Sequence, residues 1–160
     1  MDLMQTADQD AIQQTVRSFL AEEMPMARVR QLGPEGNAAL GALGRQAAEL
    51  GCFGLGLAET EGGAGYAVTE EMVLFEELGS SLAPGPWLGS VLAVHALAGR
   101  PEAELRDWRL RVLTGEAPVA LLERRSSAEL RVEGGRLGGA WRGVLDAVDA
   151  SAFLVLEEDA

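Results

Sequence analysis

Apolar residues recur at helical intervals through most of the first 115 positions. Ile12, Val16, Phe19 and Leu20 fall at i, i+4, i+7 and i+8, which places them on one face of a helix. Thr6 with Gln9 has the spacing of a capping box and predicts where that helix begins. Met24-Pro25 predicts where it ends, because proline disfavours helix in the residue before it. A second helix is predicted over 34–50, with Leu40, Leu43, Ala47 and Leu50 on one face and Gly51 just past its end. A third starts under a Thr69 cap, with Glu70 and Glu71 in its first turn and Met72, Phe75, Leu78 and Leu82 as its buried side. The fourth, 87–98, is apolar nearly all round and so is expected at the centre of its bundle. Pro101 opens a fifth, with Leu105, Trp108 and Val112 in register, running to Gly115.

Beyond Gly115 the period drops to two, in the segments 118–123, 129–133, 136–141 and 151–157. These read as short antiparallel strands, with Gly134-Gly135 as a hairpin turn. The predicted class is α+β: an all-α bundle of about five helices over 1–116, then a partial antiparallel β-domain over 117–160.

Charge narrows the range of partners. Twenty-five acids against thirteen basic residues give a formal net charge of -12, which opposes binding to nucleic acid or anionic membrane. Residues 100–142 carry nine arginines against seven acids, whereas the rest carries four against eighteen. That shift supports a boundary near the end of the fifth helix. Every basic residue is arginine, which excludes a P-loop lysine and a Schiff-base lysine. Abundant Ala, Gly and Arg without Lys point to a GC-rich, bacterial coding sequence. Cys52 is the single cysteine and His95 the single histidine, so neither a disulfide nor the usual zinc site can form, and no metal site is expected. The first ten residues lack the basic and apolar regions of a secretory signal, and no apolar run reaches membrane-spanning length. A reducing bacterial cytoplasm is the expected location.

Few residues offer chemistry. Six glycines lie between 51 and 66, yet no lysine and no preceding strand accompany them, so they read as a structural turn rather than a phosphate cradle. The pairs Glu22-Glu23, Glu70-Glu71 and Glu76-Glu77 read as solvated helix faces, since adjacent helical residues diverge by about 100°. Glu59 and Glu61 lack the further ligands that a cation needs. His95 reads as a satisfied core or interface histidine, with no orienting partner identifiable from the sequence. No Ser-His-Asp or Cys-His arrangement is supported, and no catalytic residue is assigned.

Three stretches carry a resemblance: AAELGCFGLGLAETEGGAGY (47–66), EEMVLFEELGSSLAPGPWLGSVLAVHAL (70–97) and LRDWRLRVLTGE (105–116). Their order of glycine-rich turn, helix ending EELG, Pro/Gly turn, helix and W-L-GE helix resembles the N-terminal helical domain of acyl-CoA dehydrogenases. Residues 117–160 resemble the opening of that family's middle β-domain. The resemblance implies a flavoprotein oxidoreductase of fatty acid or steroid side-chain catabolism, with FAD oxidising an acyl-CoA to an enoyl-CoA. It also implies that the catalytic carboxylate lies in a third domain, so this stretch alone is expected to be inactive and to need further domains or a partner. Helices of the N-terminal domain line the family's acyl tunnel, which makes Trp87, Leu88, Val91, Leu92 and, less directly, His95 the candidate wall.

One departure stands out. Where flavin-binding members read TEPGAGSD, this chain reads Leu122, Glu123, Arg124, Arg125, Ser126, Ser127, Ala128. Two arginines in place of Pro and Gly remove the backbone permissiveness that close ligand approach needs, which argues against flavin contact here. The implied partners are acyl-CoA and a homo- or hetero-oligomer with a full-length dehydrogenase. The alternatives are a non-catalytic scaffold subunit of a heteromeric enzyme, or a helical module that binds acyl chains. An exposed partial β edge further predicts oligomerisation or poor solubility.

Overall fold

The computed structural model describes residues 4–32, 37–123 and 131–156. α1 (Ala7–Glu23) starts where the capping box predicts, with the Thr6 hydroxyl accepting from the Gln9 amide at 3.2 Å and the Gln9 side chain accepting from the Thr6 amide at 3.0 Å. Its Val16 and Leu20 are buried, and Ile12 and Phe19 pack against the same core. Pro25 opens a short α2 (Met26–Gln31) that the periodicity did not predict. α3 (Asn37–Glu49) replaces the predicted 34–50 helix; residues 34–36 lie outside the described residues. Leu43 and Ala47 are buried as expected, but Leu50 sits past the helix end and is exposed.

The glycine-rich stretch is a turn, closed by amides from Ala64, Gly65 and Tyr66 onto the carbonyls of Gly54, Leu57 and Leu55. Gly63 passes so close to the Leu57 carbonyl that a Cβ there would overlap it. A 3-10 turn, Glu59–Glu61, follows within it, and Glu61 pairs with Arg109 of a later helix.

α4 (Val68–Ser80) departs from the predicted orientation. Met72 and Leu82 are exposed, while Glu70, Glu71, Val73, Leu74, Glu77 and Leu78 are buried. Of the glutamates expected on solvated faces, Glu70, Glu71 and Glu77 thus turn inward, each with partners, while Glu22 and Glu76 stay exposed. Glu70 accepts from the Gln9 side chain at 2.8 Å and from the Ala67 amide at 3.0 Å. Glu77 takes a bidentate grip from Arg17, at 2.9 and 2.6 Å, the geometry that best offsets burial of a carboxylate. Thr69 does not cap; its hydroxyl donates to Glu70.

α5 (Trp87–Leu97) and α6 (Ala103–Leu113) follow, bringing the described α-helices to six against the five expected. One core joins α1, α3, α4, the glycine turn and the start of α5; a second gathers Leu57, Ala93, Val94, Val112, Ala117 and Val119. β1 (Val119–Glu123) pairs with β4 (Ala152–Leu156), and the pairing is parallel rather than antiparallel, with Leu121 opposite Leu154. Parallel neighbours need a long crossover, and the 28 residues between these strands carry it. β2 (Arg131–Glu133) and β3 (Arg136–Gly138) form the predicted antiparallel hairpin, with positive φ at both Gly134 (56°) and Gly135 (75°), as a tight primed turn requires. β3 stops at Gly138, short of the predicted 141.

No helix among the described residues is long and apolar enough to cross a membrane.

Candidate functional site

α5 reads WLGSVLAVHAL, and the two small residues in this apolar helix fix its position. Gly89 lies against the carbonyl of Val119, so close that a Cβ would overlap it. The neighbouring Ser90 hydroxyl accepts a hydrogen bond from the Val119 amide at 3.1 Å. Together they seat the first turns of α5 on the start of β1. Trp87 anchors the same end, stacked on Phe53 with ring centroids 5.6 Å apart and its Nε1 donating to the Pro84 carbonyl at 3.1 Å.

Two clefts open around Trp87. The first, of about 630 Å³, lies between α3, the 84–86 turn and the segment 144–149; Arg45, Glu116, Asp146 and Asp149 face it. The second, of about 530 Å³, lies between the end of α4, the start of α5, β1 and residues 143–146. Phe75, Leu78, Leu82, Leu88 and Leu121 line it, with Glu123 and Asp146 as its charged groups. Asp146 sits at φ 58°. Its carboxyl is pushed above the usual range, first by desolvation and then by the charge of Asp149. The first cleft is larger, but the second is the better receptor for hydrocarbon: its leucines and Phe75 outnumber its two charges, whereas four charged residues face the first.

The histidine does have a partner. His95 Nε2 lies 2.7 Å from Glu71 Oε1, and the same oxygen accepts the Gly56 amide at 3.1 Å. A Cβ at Gly56 would come within 2.5 Å of that oxygen, so the absence of a side chain there lets Glu71 lie against the turn. This trio ties α5, α4 and the glycine turn together. It faces neither cleft, which makes it a structural tie.

The five candidate wall residues therefore separate. Trp87 lines both clefts and Leu88 lines the second, where it is about half exposed. Val91 is buried in the first core, Leu92 is half-buried facing neither cleft, and His95 is bonded to Glu71. Of the segment that departs from the flavin pattern, Leu122 is buried and Glu123 lines the second cleft; Arg124, Arg125, Ser126 and Ser127 lie outside the described residues. The sequence pattern does not single out Gly89 or Ser90, and it places Glu71 on a solvated face. A glycine-serine pair inside an otherwise apolar helix was the available signal for the first two.

A dinucleotide would need cations or free N–H donors for its pyrophosphate. The second cleft, which adjoins the end of β1, offers Glu123 and Asp146 and no cation among its described lining residues.

The family model for the N-terminal domain of acyl-CoA dehydrogenases matches residues 6–116. Among solved structures, the chain resembles one described as a steroid acyl-CoA dehydrogenase, Tcur3481-Tcur3483, in its G363A variant. Identity there is 26%, the TM-score 0.76, and the alignment covers 92% of this chain and 44% of that one. A putative acyl-CoA dehydrogenase from Mycobacterium smegmatis aligns at 24% identity and a TM-score of 0.70, covering 96% of this chain and 44% of the other. The ChsE4-ChsE5 complex from Mycobacterium tuberculosis aligns at 21% identity and a TM-score of 0.62, covering 76% and 31%. This chain thus spans between about a third and under half of the length of these relatives. No curated protein sequence matches it.

Proposed function

The chain belongs to the acyl-CoA dehydrogenase family, and from that premise we propose that it acts as a supporting subunit of a heteromeric acyl-CoA dehydrogenase. In this reading residues 1–116 are the helical domain and 117–160 open the β-domain. The cleft beside Leu82 and Leu88 receives the acyl tail. The reaction, at family level, is FAD-dependent oxidation of acyl-CoA to enoyl-CoA. The reading assigns neither the flavin contacts nor the catalytic carboxylate to a described residue.

The observation that carries the proposal is the second cleft: Leu82 and Leu88 stand exposed on its wall at the start of α5. Each methylene buried there contributes about 0.8 kcal/mol. A volume of about 530 Å³ suits a bulky apolar tail, and two of the similar structures are described as steroid acyl-CoA dehydrogenases. Acyl-CoAs bearing a steroid side chain are therefore the proposed substrate class. The mismatch between the cleft's carboxylates and a dinucleotide favours a scaffold role over a self-sufficient enzyme. Heteromeric assembly is supported by neighbours whose descriptions carry paired names, one of them a complex.

Co-expression with a full-length family member tests this. Flavin absorbance and acyl-CoA-dependent bleaching are expected in the complex and not in the isolated chain. Leu88→Glu should weaken steroid acyl-CoA binding by the complex while leaving its assembly intact. Stoichiometric flavin on the isolated chain would sink the supporting-subunit reading, and unchanged acyl-CoA affinity in the Leu88→Glu complex would sink the cleft assignment.

A further inference from the structure

α4 ends in a turn that suits glycine, yet a leucine occupies its critical position. The Ala83 amide donates to the Leu78 carbonyl at 2.9 Å and the Leu82 amide to the Gly79 carbonyl at 3.1 Å. These are the paired bonds that close a helix when the residue just past its end is left-handed. That residue is Leu82, at φ 50°. Glycine takes this conformation freely, whereas a leucine Cβ crowds the following carbonyl. Burial does not offset the crowding, because Leu82 is 61% exposed; it is Ala83, one residue on, that packs against the first core. What leucine adds to the turn is hydrocarbon on the wall of the second cleft.

Asp146, at φ 58°, is the other non-glycine residue with positive φ among the described residues, and it lines the same cleft from a separate segment. Side chains held on such backbone cluster at ligand clamps. From this coincidence we infer that Leu82 and Asp146 are the ligand-contacting pair of the second cleft: Leu82 presses on the hydrocarbon of a polycyclic acyl tail, and Asp146 accepts a hydrogen bond from a hydroxyl carried on that tail. The surrounding groups favour a neutral hydroxyl. Glu123 stands with Asp146 in the lining and disfavours an anion there, while Arg142, exposed and next to the cleft-lining Gly143, offsets part of the acidic field that would draw in a cation. An ammonium would also lose its water among Phe75, Leu78 and Leu121, at far greater cost than a hydroxyl. Asp146 itself is partly desolvated and feels the charge of Asp149, so a hydrogen bond offered to its carboxylate has less water to displace. The acyl thioester rests on the function proposed above; the two contacts and the hydroxyl rest on the cleft.

Titration calorimetry with the full chain tests this, using the coenzyme A thioesters of lithocholic acid, a steroid acid with a single ring hydroxyl, and of unsubstituted cholanic acid. The lithocholic thioester should bind about threefold or more tighter. Leu82→Gly should weaken both thioesters by about fivefold to tenfold while raising the urea midpoint by about 0.3 M, since it relieves the left-handed leucine. Leu82→Met, which keeps the hydrocarbon, should bind as the wild type does. Asp146→Gly should abolish the preference for the hydroxyl and leave cholanic thioester affinity unchanged, and Asp146→Asn, which still offers a carbonyl acceptor, should restore it. A raised midpoint with unchanged affinity in Leu82→Gly would show that the leucine serves no ligand, and a lowered midpoint would show that it serves the turn; either overturns the inference. So does an equal loss of both thioesters in Asp146→Gly, or no binding of either thioester to the wild-type chain. Weakened binding in Leu88→Glu with none in Leu82→Gly fails this pair and spares the cleft assignment, and the supporting-subunit reading is judged separately by flavin in the co-expressed complex.

Discussion

Desolvation pushes the Cys52 thiol up to about 11, and only the thiolate is nucleophilic. In the native protein at pH 8 a disulfide reagent should therefore modify Cys52 about a hundredfold more slowly than in urea. Comparable rates in both states would show that the first core opens on the reagent's timescale. Glu77 is shifted in the opposite sense. The Arg17 hydrogen bonds, outweighing desolvation, hold its carboxyl below the ordinary value of 4.5. Glu70 is likewise held low, chiefly by the Gln9 side chain. A carboxylate whose value is lowered by folding stabilises fully above its unfolded value and loses that stabilisation as pH falls through the folded one. Urea midpoints should accordingly fall as pH drops below about 4.5, and Glu77→Gln should flatten that fall. An unchanged slope in Glu77→Gln would assign the acid sensitivity to other carboxylates.

Trp87 is where the elements meet, so its removal tests how the helices are held. Trp87→Ala deletes the stack on Phe53 and a wall of both clefts, and should cost about 3–5 kcal/mol of unfolding free energy. A loss near 1 kcal/mol would mean that the surrounding turn collapses into the space. What the sequence disclosed about these elements followed from local rules. The Thr6–Gln9 box, the Gly134-Gly135 turn and the Val16–Leu20 stripe depend on residues within one or two turns of each other, and all formed as read. α4 did not, because its period fits two faces. Met72, Phe75, Leu78 and Leu82 read as one core stripe, of which Leu78 and Phe75 do pack in the first core, while the buried face also carries Glu70, Glu71 and Glu77. Those carboxylates look solvent-directed until Gln9, Arg17, Gly56 and His95 supply their partners. Those partners lie 15 to 61 residues away, beyond any local pattern. The same distance hid the histidine's partner. Of the five candidate wall residues, Trp87 and Leu88 are the ones that line a cleft. Separating them from Val91 required the helix's rotation, which Gly89 and Ser90 set against β1.

Across the whole molecule, stability should be unevenly distributed. The first core draws on α1, α3, α4 and α5, whereas among the described residues β1 and β4 pair as a two-stranded sheet. Two strands hold poorly in water unless a helix covers them. α5 provides that cover through Gly89, Ser90 and the second core. Phe153 and Leu156 on β4 remain substantially exposed. Ser90→Ala removes the hydroxyl that the Val119 amide uses and leaves that buried donor unsatisfied, at about 1–3 kcal/mol. If the sheet opens as its own unit, hydrogen exchange in Ser90→Ala should quicken at 119–123 and 152–156 while α1 and α4 exchange as before. Uniform acceleration through all helices would instead mean that the sheet and the bundle unfold as one cooperative body. The seat of α5 on β1 would then set global stability rather than the integrity of the cleft that opens beside it.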